Sequence, residues 1–327
     1  MSKCVHCRPH EVSSLHLLEK LETVLWPIEK VLETVKPPHA PSGFFLKLLL
    51  ASGLLAEEDA RGYDGLSSRT KVVIEAAGKR GLEIKSVNLL GRSVNLFSAL
   101  IKGRKIFFEG LPHVQIGRRV ARDVDNKEQF AKLLTDNGLP HASSRTFMLT
   151  SRAAGYAQSI GFPVVVKPRR GSLSKHVSYP VRNPSELREA IRIARLLHPE
   201  FIVERYIVGP VHRVTVVGYE KVAVCIREPA EAFGKVTLAA GAKIHDVSNL
   251  VNHQTKDMFM RLAHICDLSV IGFDFICPDI SQSWREQECG VIEANSLPYI
   301  NMHHYPDSGE SQDVGGWIIE ELLAGRL

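Results

Sequence analysis

Three oxygen-bearing side chains near the carboxyl end of the sequence have the types and spacing of a hard-cation site. Asp274 lies in an apolar strand-like run, where alternation places its carboxylate on the face opposite Phe273 and Phe275. Glu293 and Asn295 are two residues apart, so both project from one side of their own strand, roughly 7 Å apart. Such oxygens suit magnesium, which keeps waters and substrate phosphates among its ligands. A hydrogen-bonded sheet end without a metal is the alternative.

Four cationic side chains suit the phosphates that such a metal would accompany. Lys167 closes an apolar strand, where burying an ammonium costs several kcal/mol unless an anion meets it. Arg213 and Arg227 occupy consecutive strand-like segments at positions that could face one cavity, which would suit a transferring phosphoryl group. Each arginine could equally form a salt bridge. Lys127, in the first turn of a helix, carries less weight because lysines there are usually solvated.

A basic, hydroxyl-rich loop at residues 169–176 follows Lys167. It contains Ser172, Ser174 and Lys175, and it could lie over phosphates through main-chain N–H groups and cations. A surface loop without a ligand is the alternative interpretation.

The elements that must position these residues can be predicted from hydrophobic periodicity and turn residues. Asp125 is the predicted N-cap of a helix that ends at Asn137-Gly138, and Lys102-Gly103-Arg104 is a predicted hairpin turn. Helices and strands mix without a βαβ rhythm, which predicts an α+β chain. The other predicted helices are 13–35, 44–60, 70–79, 150–160, 184–197, 255–266 and 312–323, and the predicted strands are 84–89, 162–168, 201–204, 211–217, 221–227, 270–276 and 290–295.

Composition restricts the class of protein. The 327 residues exceed the usual size of one core, so two or three packed units are expected. A formal net charge of +5 suits anionic small molecules but falls short of a nucleic-acid-binding protein. The most apolar run, residues 44–56, is shorter than the about 20 residues that cross a bilayer, and the amino terminus shows no secretory signal.

The cysteines also bear on location. Four of the six stand alone within apolar segments, which fits a reducing cytoplasm better than a disulfide scaffold. Cys4 and Cys7 lie beside His6 and His10 and could bind zinc, but a second pair at finger spacing is missing. We therefore expect a cytoplasmic protein with a metal-free terminus.

The order of these pieces closely resembles the ATP-grasp superfamily. The shared order is a helix lysine, a strand-end lysine, a basic loop, the segment 203–209, paired arginines, and then the Asp and Glu-x-Asn strands. Within the superfamily, the nearest likeness is the ATP-grasp domain of cyanophycin synthetases and related amino-acid ligases, over about residues 121–327. The resemblance implies an N-terminal helical segment (1–66), a small α/β pre-grasp unit (67–120) and an ATP-grasp domain (121–327). Its nucleotide-clamping subdomain would span about 145–208 and its metal-binding subdomain about 209–327.

The resemblance also implies a role for each candidate residue. Lys127 and Lys167 would bind nucleotide phosphates together with Ser172, Ser174 and Lys175; Glu204, Arg205, Tyr206 and Ile207 would hold adenine; Arg213 and Arg227 would be catalytic; Asp274, Glu293 and Asn295 would hold Mg²⁺, with Mn²⁺ as the alternative. His303 is a candidate substrate contact, and a structural histidine is the alternative.

The implied function is an ATP-dependent ligase that joins a small-molecule carboxylate to an amine through an acyl phosphate; a homodimer is left open. Two departures from the family pattern matter. Only Gly171 remains of a usually glycine-rich loop, and Val211 stands where an acid commonly binds ribose. They motivate one alternative, an ATP-binding regulatory protein without turnover; phosphorylation without ligation is another. Because every presumed phosphate and metal residue is present, we favour an active enzyme.

Overall fold

The computed structural model describes residues 48–60, 66–89, 92–113, 124, 126–169, 176–228 and 243–327. The predicted helix at 13–35 and the Cys4 and Cys7 pair lie outside these residues. The helices are α1 (Ser68–Lys79), α2 (Lys127–Asp136), α3 (Thr150–Ile160), α4 (Pro184–Ala194), α5 (His253–Cys266), α6 (Asn301–His304) and α7 (Val314–Ala324).

The strands form three antiparallel sheets, so the predicted α+β class is confirmed. The strands are β1 (Leu55–Asp59), β2 (Ile84–Leu89), β3 (Arg92–Ile101), β4 (Arg104–Glu109), β5 (Ser144–Phe147), β6 (Val164–Pro168), β7 (Ser178–Val181), β8 (Phe201–Arg205), β9 (Val211–Val217), β10 (Lys221–Glu228), β11 (Lys243–Asp246), β12 (Val270–Ile276) and β13 (Gly290–Asn295). Their orders are β1-β2-β3-β4, β11-β10-β9-β12-β13 and β5-β8-β6-β7. No helix in the described ranges is long and apolar enough to cross a membrane.

The five-stranded sheet is buried on one face because its apolar residues alternate. Phe273 and Phe275 of β12 pack beneath α5, where the ring of Phe259 lies 5.6 Å and 5.2 Å from theirs. Burying a phenylalanine contributes about 1.5–3 kcal/mol, so this face fixes the register of the strand. The same alternation leaves Gly272 and Asp274 on the opposite face.

The sheet β5-β8-β6-β7 is built in the same way. Val164 and Val166 of β6 and Val203 of β8 face the helices α3 and α4 in a common core. Lys167 and Glu204 occupy the alternate positions and so face away from that core.

The first sheet shares its core with the C-terminal helix. The core formed by α1, β2, β3 and β4 also contains Ile318 and Leu322 of α7 and Val217 of β9. The sheet β1-β2-β3-β4 is therefore packed against the five-stranded sheet and its helix. The domain boundaries at residues 66 and 120 stay a prediction.

Local signals explain most of the element bounds. Helix α2 begins at Lys127 because Asn126, not the predicted Asp125, accepts N–H groups of Glu128 and Gln129; Asp125 lies outside the described residues. The predicted turn at Lys102-Gly103-Arg104 does join the antiparallel strands β3 and β4. The sequence analysis missed the short strands β5, β7 and β11 and the short helix α6.

The predicted helix at 44–60 is wrong over its second half. Within the described residues it is helical only at 48–51, and residues Leu55–Asp59 pair with β2 as a strand. Alanine and glutamate favour a helix, but Glu57 accepts hydrogen bonds from Ser98 and Lys105, each at 2.6 Å. These tertiary contacts outweigh a propensity of a few tenths of a kcal/mol per residue.

Candidate active site

The open face of the five-stranded sheet carries a row of functional side chains. Strand register places Cys225 opposite Arg213, Arg213 opposite Asp274, and Asp274 opposite Glu293. Adjacent strands lie about 4.8 Å apart, so these side chains are direct neighbours. Arg227 is two residues beyond Cys225 and therefore projects from the same face.

Arg213, which is buried, and Arg227, whose side chain is 19% exposed, share the buried carboxylate of Asp274 in this row. Arg213 Nε lies 2.8 Å from Asp274 Oδ1, and Arg213 Nη2 donates to Oδ2 at 3.3 Å. Arg227 Nη2 lies 3.9 Å from the same Oδ2. Burial lowers the pKa of Arg227, and the positive charge of Arg213 lowers it further, against the opposing effect of Asp274. Asp274 alone therefore faces two guanidiniums, and Glu293, opposite Asp274, supplies the next carboxylate of the row.

Asp274, Glu293 and Asn295 meet as the sequence predicts. Asp274 is paired with Glu293 across the strands, and Asn295 lies opposite Gly272, one position further along the same face. The buried amide nitrogen Asn295 Nδ2 has no hydrogen-bond partner among the described residues, whereas Asp274 Oδ1 is held by Arg213 Nε at 2.8 Å. The described part of the chain contains no group of three or more His, Cys, Asp or Glu residues that could hold a metal.

This donor set fits magnesium. Two carboxylates and one amide oxygen are hard ligands, and Mg²⁺ commonly takes only one or two carboxylates beside waters and phosphates. The unpartnered side-chain amide of Asn295 indicates that the polar groups of the site are not fully satisfied by the described residues. The role of these residues as metal ligands stays a proposal.

The facing sheet carries a closed ion pair. Lys167 Nζ donates to Glu204 Oε2 at 2.6 Å, and these side chains are only 13% and 10% exposed. The sequence analysis anticipated an anion for Lys167, and Glu204 supplies it in this structure. Glu204, which the family resemblance assigned to adenine binding, is therefore committed to a lysine.

Lys127 shows that the two sheets face each other across one polar space. Burial lowers its pKa, and the nearby Lys167 lowers it further, while Glu293, Glu204 and Asp274 oppose the shift. The helix lysine is therefore close to acids of both sheets. This placement disagrees with the solvated lysine that its position in a first helical turn usually indicates.

The rest of the segment predicted to hold adenine links the sheets. Arg205 is exposed and pairs with Glu288 at 2.8 Å, Tyr206 is half-buried, and Ile207 is buried. Gly209 has φ +144°, and a Cβ there would lie 2.5 Å from the carbonyl oxygen of Cys277. Only glycine fits this approach, which fixes the path of the chain into β9. Adenine binding stays a prediction.

His303 lies on the same face of the sheet as the row, against Thr215 of β9, and is fully buried. Its Nε2 is 2.9 Å from Thr215 Oγ1, and its Nδ1 is buried without a hydrogen-bond partner in the described chain. Burial, together with Arg213, lowers its pKa to about 3, so the ring is neutral. This placement favours the structural histidine over the predicted substrate contact.

The structure describes the residues on either side of the predicted phosphate loop, Arg169 and His176. Ser172, Ser174 and Lys175 lie outside the described residues. At the start of the loop, Arg169 pairs with Glu200 at 2.5 Å and with Glu128 of α2 at 3.2 Å. These pairs tie the end of β6 to the helix that carries Lys127.

The sequence analysis missed two residues of the first α/β unit that reach this site. Arg69 Nη1 donates to the carbonyl oxygen of Leu297 at 2.6 Å, and His113 Nε2 lies 2.7 Å from that of Ser296. These carbonyls belong to the two residues that follow Asn295. The partners are 228 and 183 residues apart in sequence, so no local pattern could have indicated them.

In sequence and in fold, the chain is similar to ATP-grasp ligases. Cyanophycin synthetase of Nostoc sp. (strain PCC 7120) is 22% identical over 268 residues, which is 62% of this chain and 30% of that protein. The glutathione biosynthesis bifunctional protein GshAB of Clostridium perfringens is 21% identical over 333 residues, 80% of this chain and 42% of that protein. No family model matches.

A solved structure supports the assignment of the fold. The bifunctional glutathione synthetase from Pasteurella multocida superposes with a TM-score of 0.58 at 18% identity, covering 81% of this chain and 45% of that one. The chain thus spans less than half the length of these relatives.

Proposed function

We propose that this chain is an ATP- and magnesium-dependent ligase that joins a carboxylate to an amine through an acyl phosphate. The observation that carries the proposal is the cluster in which Arg213 and Arg227 share the single carboxylate Asp274 beside Glu293. Two guanidiniums that share one carboxylate suit the binding of a polyanion. The sequence relatives are ligases of this chemical kind.

Each charged group then has a role toward ATP. Lys167, on the sheet β5-β8-β6-β7, and Lys127, in helix α2, would contact the phosphates, and Glu204 would hold Lys167 in place. The segment from Arg205 to Ile207 would hold adenine. Val211 lacks the acid that commonly binds ribose, so we expect weaker ribose contacts.

Asp274, Glu293 and Asn295 would hold the metal, Mg²⁺ or in its place Mn²⁺. When bound, the metal would neutralise negative charge on the phosphates during transfer.

The reaction has two steps. An oxygen of the substrate carboxylate attacks the γ-phosphorus, the bond to the bridging oxygen breaks, and ADP leaves. The amine nitrogen then attacks the acyl carbon, phosphate leaves, and the nitrogen loses a proton to give the amide. Arg213 and Arg227 would stabilise the charge on the transferring phosphoryl group and on the leaving phosphate.

ADP release tests the proposal. The purified protein with Mg²⁺ and ATP would be scanned across pools of amino acids and small carboxylates. We expect release that depends on one pool and disappears in Glu293→Gln, while Glu288→Gln, which changes an exposed acid paired with Arg205, keeps it. Release without an amide product would indicate phosphorylation without ligation.

A second candidate is an ATP-binding regulatory protein without turnover. Asp274 is already occupied by two guanidiniums, so a metal must compete for its oxygens. This candidate predicts tight ATP binding with no ADP release from any pool, an outcome that would contradict the ligase proposal.

A further inference from the structure

We propose that the first α/β unit takes part in the active site: Arg69 and His113 position the loop 296–298 and, through it, Asn295 and Arg213. The inference rests on the proposed function, because it concerns the metal and phosphate groups of that site. The two residues act on the loop and touch neither metal nor nucleotide, so they are positioning residues.

Arg69 lies in the first turn of α1, where the helix dipole disfavours a cation. Its guanidinium donates to the carbonyl oxygen of Leu297 at 2.6 Å and lies 5.0 Å from the ring centroid of Tyr299. A hydrogen bond from a charged donor is stronger than one between neutral groups. Arg69 therefore contacts Leu297, within the loop, and Tyr299, directly after it.

His113 holds the preceding carbonyl from the end of the first sheet. Its Nε2 lies 2.7 Å from the oxygen of Ser296, and since a carbonyl only accepts, the ring must donate from this atom. Burial lowers its pKa to about 4, so this donor is a neutral imidazole at physiological pH. Ser296 directly follows Asn295, so the contact is one residue from the proposed metal ligand.

The loop is confined on its other side by the sheet itself. A Cβ on Gly272 would lie 2.7 Å from Pro298 Cβ and 3.6 Å from Arg213 Nη1. Gly272 pairs with Asn295 across the strands. Because Gly272 has no side chain, the loop can pack on the sheet beside Arg213. The hydrogen bonds from Arg69 and His113 hold it in that position.

Other contacts between the same parts of the molecule lie away from this loop and provide a matched control. Arg80, at the far end of α1, donates to Asp313 at 2.8 Å and to Glu320 at 2.9 Å at helix α7. Its loss should weaken docking of the first unit without moving Asn295. Arg80→Met and Arg69→Met therefore separate docking from positioning.

The test measures Mn²⁺ binding in the presence of ADP by electron paramagnetic resonance, with thermal unfolding recorded for each full-length variant. We expect Arg69→Met and His113→Phe to weaken Mn²⁺ binding about tenfold, and Arg69→Lys to restore part of it. Arg80→Met should lower the unfolding temperature and leave Mn²⁺ binding within twofold of wild type.

Three outcomes would overturn the inference. One is unchanged Mn²⁺ binding in Arg69→Met and His113→Phe. Another is an equal loss in Arg80→Met, which would show that docking alone matters. The third is a raised KM for the amine substrate with unchanged metal affinity, which would make Arg69 a substrate contact. Failure of the wild type to bind Mn²⁺ with ADP would instead reject the proposed function. Should Arg69→Met not fold, Arg69→Lys and His113→Phe carry the comparison.

Discussion

The two sheets that face the polar space differ in how their charged side chains are paired. On the sheet β5-β8-β6-β7, Lys167 and Glu204 form a one-to-one pair at 2.6 Å. On the five-stranded sheet, Arg213 and Arg227 share the single carboxylate of Asp274, at 2.8 and 3.9 Å. In the first arrangement each charge has one partner, whereas in the second one carboxylate faces two guanidiniums, with Glu293 opposite Asp274 on the next strand.

This difference assigns the two surfaces different tasks. A closed pair in low dielectric holds a lysine in a fixed position and responds little to a ligand. Two guanidiniums that share one carboxylate repel each other, and an anion that binds between them would offset this repulsion. We infer that the five-stranded sheet is where the transferring phosphoryl group is stabilised.

Removing Asp274 should have the largest effect on stability. Asp274→Asn leaves the two guanidiniums without their carboxylate, which should cost about 4 kcal/mol in the free energy of unfolding. Urea unfolding measures this cost. Inorganic tripolyphosphate should stabilise this variant more than it stabilises the wild type, and a variant within 1 kcal/mol of wild type, on the order of a surface pair, would contradict the account.

The closed pair should behave more mildly and be replaceable. Glu204→Gln leaves one buried ammonium and should cost about 3 kcal/mol. Adding Lys167→Met should recover most of it, because apolar side chains often replace a buried pair at little cost. Urea unfolding of the single and double variants checks this. A double variant as unstable as the single one would show that Glu204 does more than neutralise Lys167.

Crowding the five-stranded sheet should have an intermediate effect. Gly272→Ala would push against Pro298, and overpacking of this kind costs about 1–3 kcal/mol. Thermal unfolding measures the loss. Gly155→Ala is the matched control: this glycine is in helix α3 with open space around its Cα, so alanine should stabilise by about 0.5–1 kcal/mol. Equal shifts in the two variants would refute the close approach of loop and sheet.

The smallest effect concerns His303, whose neutral ring is buried against Thr215, close to Arg213. Its pKa is about 3 in the folded protein and about 6.5 when unfolded, so between these values only the unfolded chain binds the proton. Stability should therefore fall as the pH drops below 6.5, by about 1.4 kcal/mol at pH 5.5 from this group. His303→Gln should remove that part of the pH dependence in urea unfolding. His253→Gln, at an exposed position, is the control, and an identical pH dependence in both variants would contradict the assignment.

The sequence predicted the functional face well because strand alternation is a local property. Asp274 and Glu293 lie opposite each other on neighbouring strands, as expected of the three predicted oxygen ligands. Relations between distant segments were not predictable: nothing in the first α/β unit marks Arg69 as a partner of Leu297. The strand Leu55–Asp59 was missed for the same reason, since its partners in β2, β3 and β4, not its own residues, decide its conformation.

The pairing of Glu204 with Lys167 and the burial of His303 show the limits of carrying roles over from a resemblance. Both positions match residues of the family pattern. The structure gives each of them a protein partner, Lys167 for Glu204 and Thr215 for His303.

The central claim is that this site transfers the γ-phosphoryl group to a carboxylate. Transfer of ¹⁸O from the labelled carboxylate that supports ADP release into inorganic phosphate tests it most directly. The account predicts one labelled oxygen per phosphate released, and no transfer in Glu293→Gln. ADP release with unlabelled phosphate would mean that water attacks the γ-phosphorus, and would contradict the acyl-phosphate route.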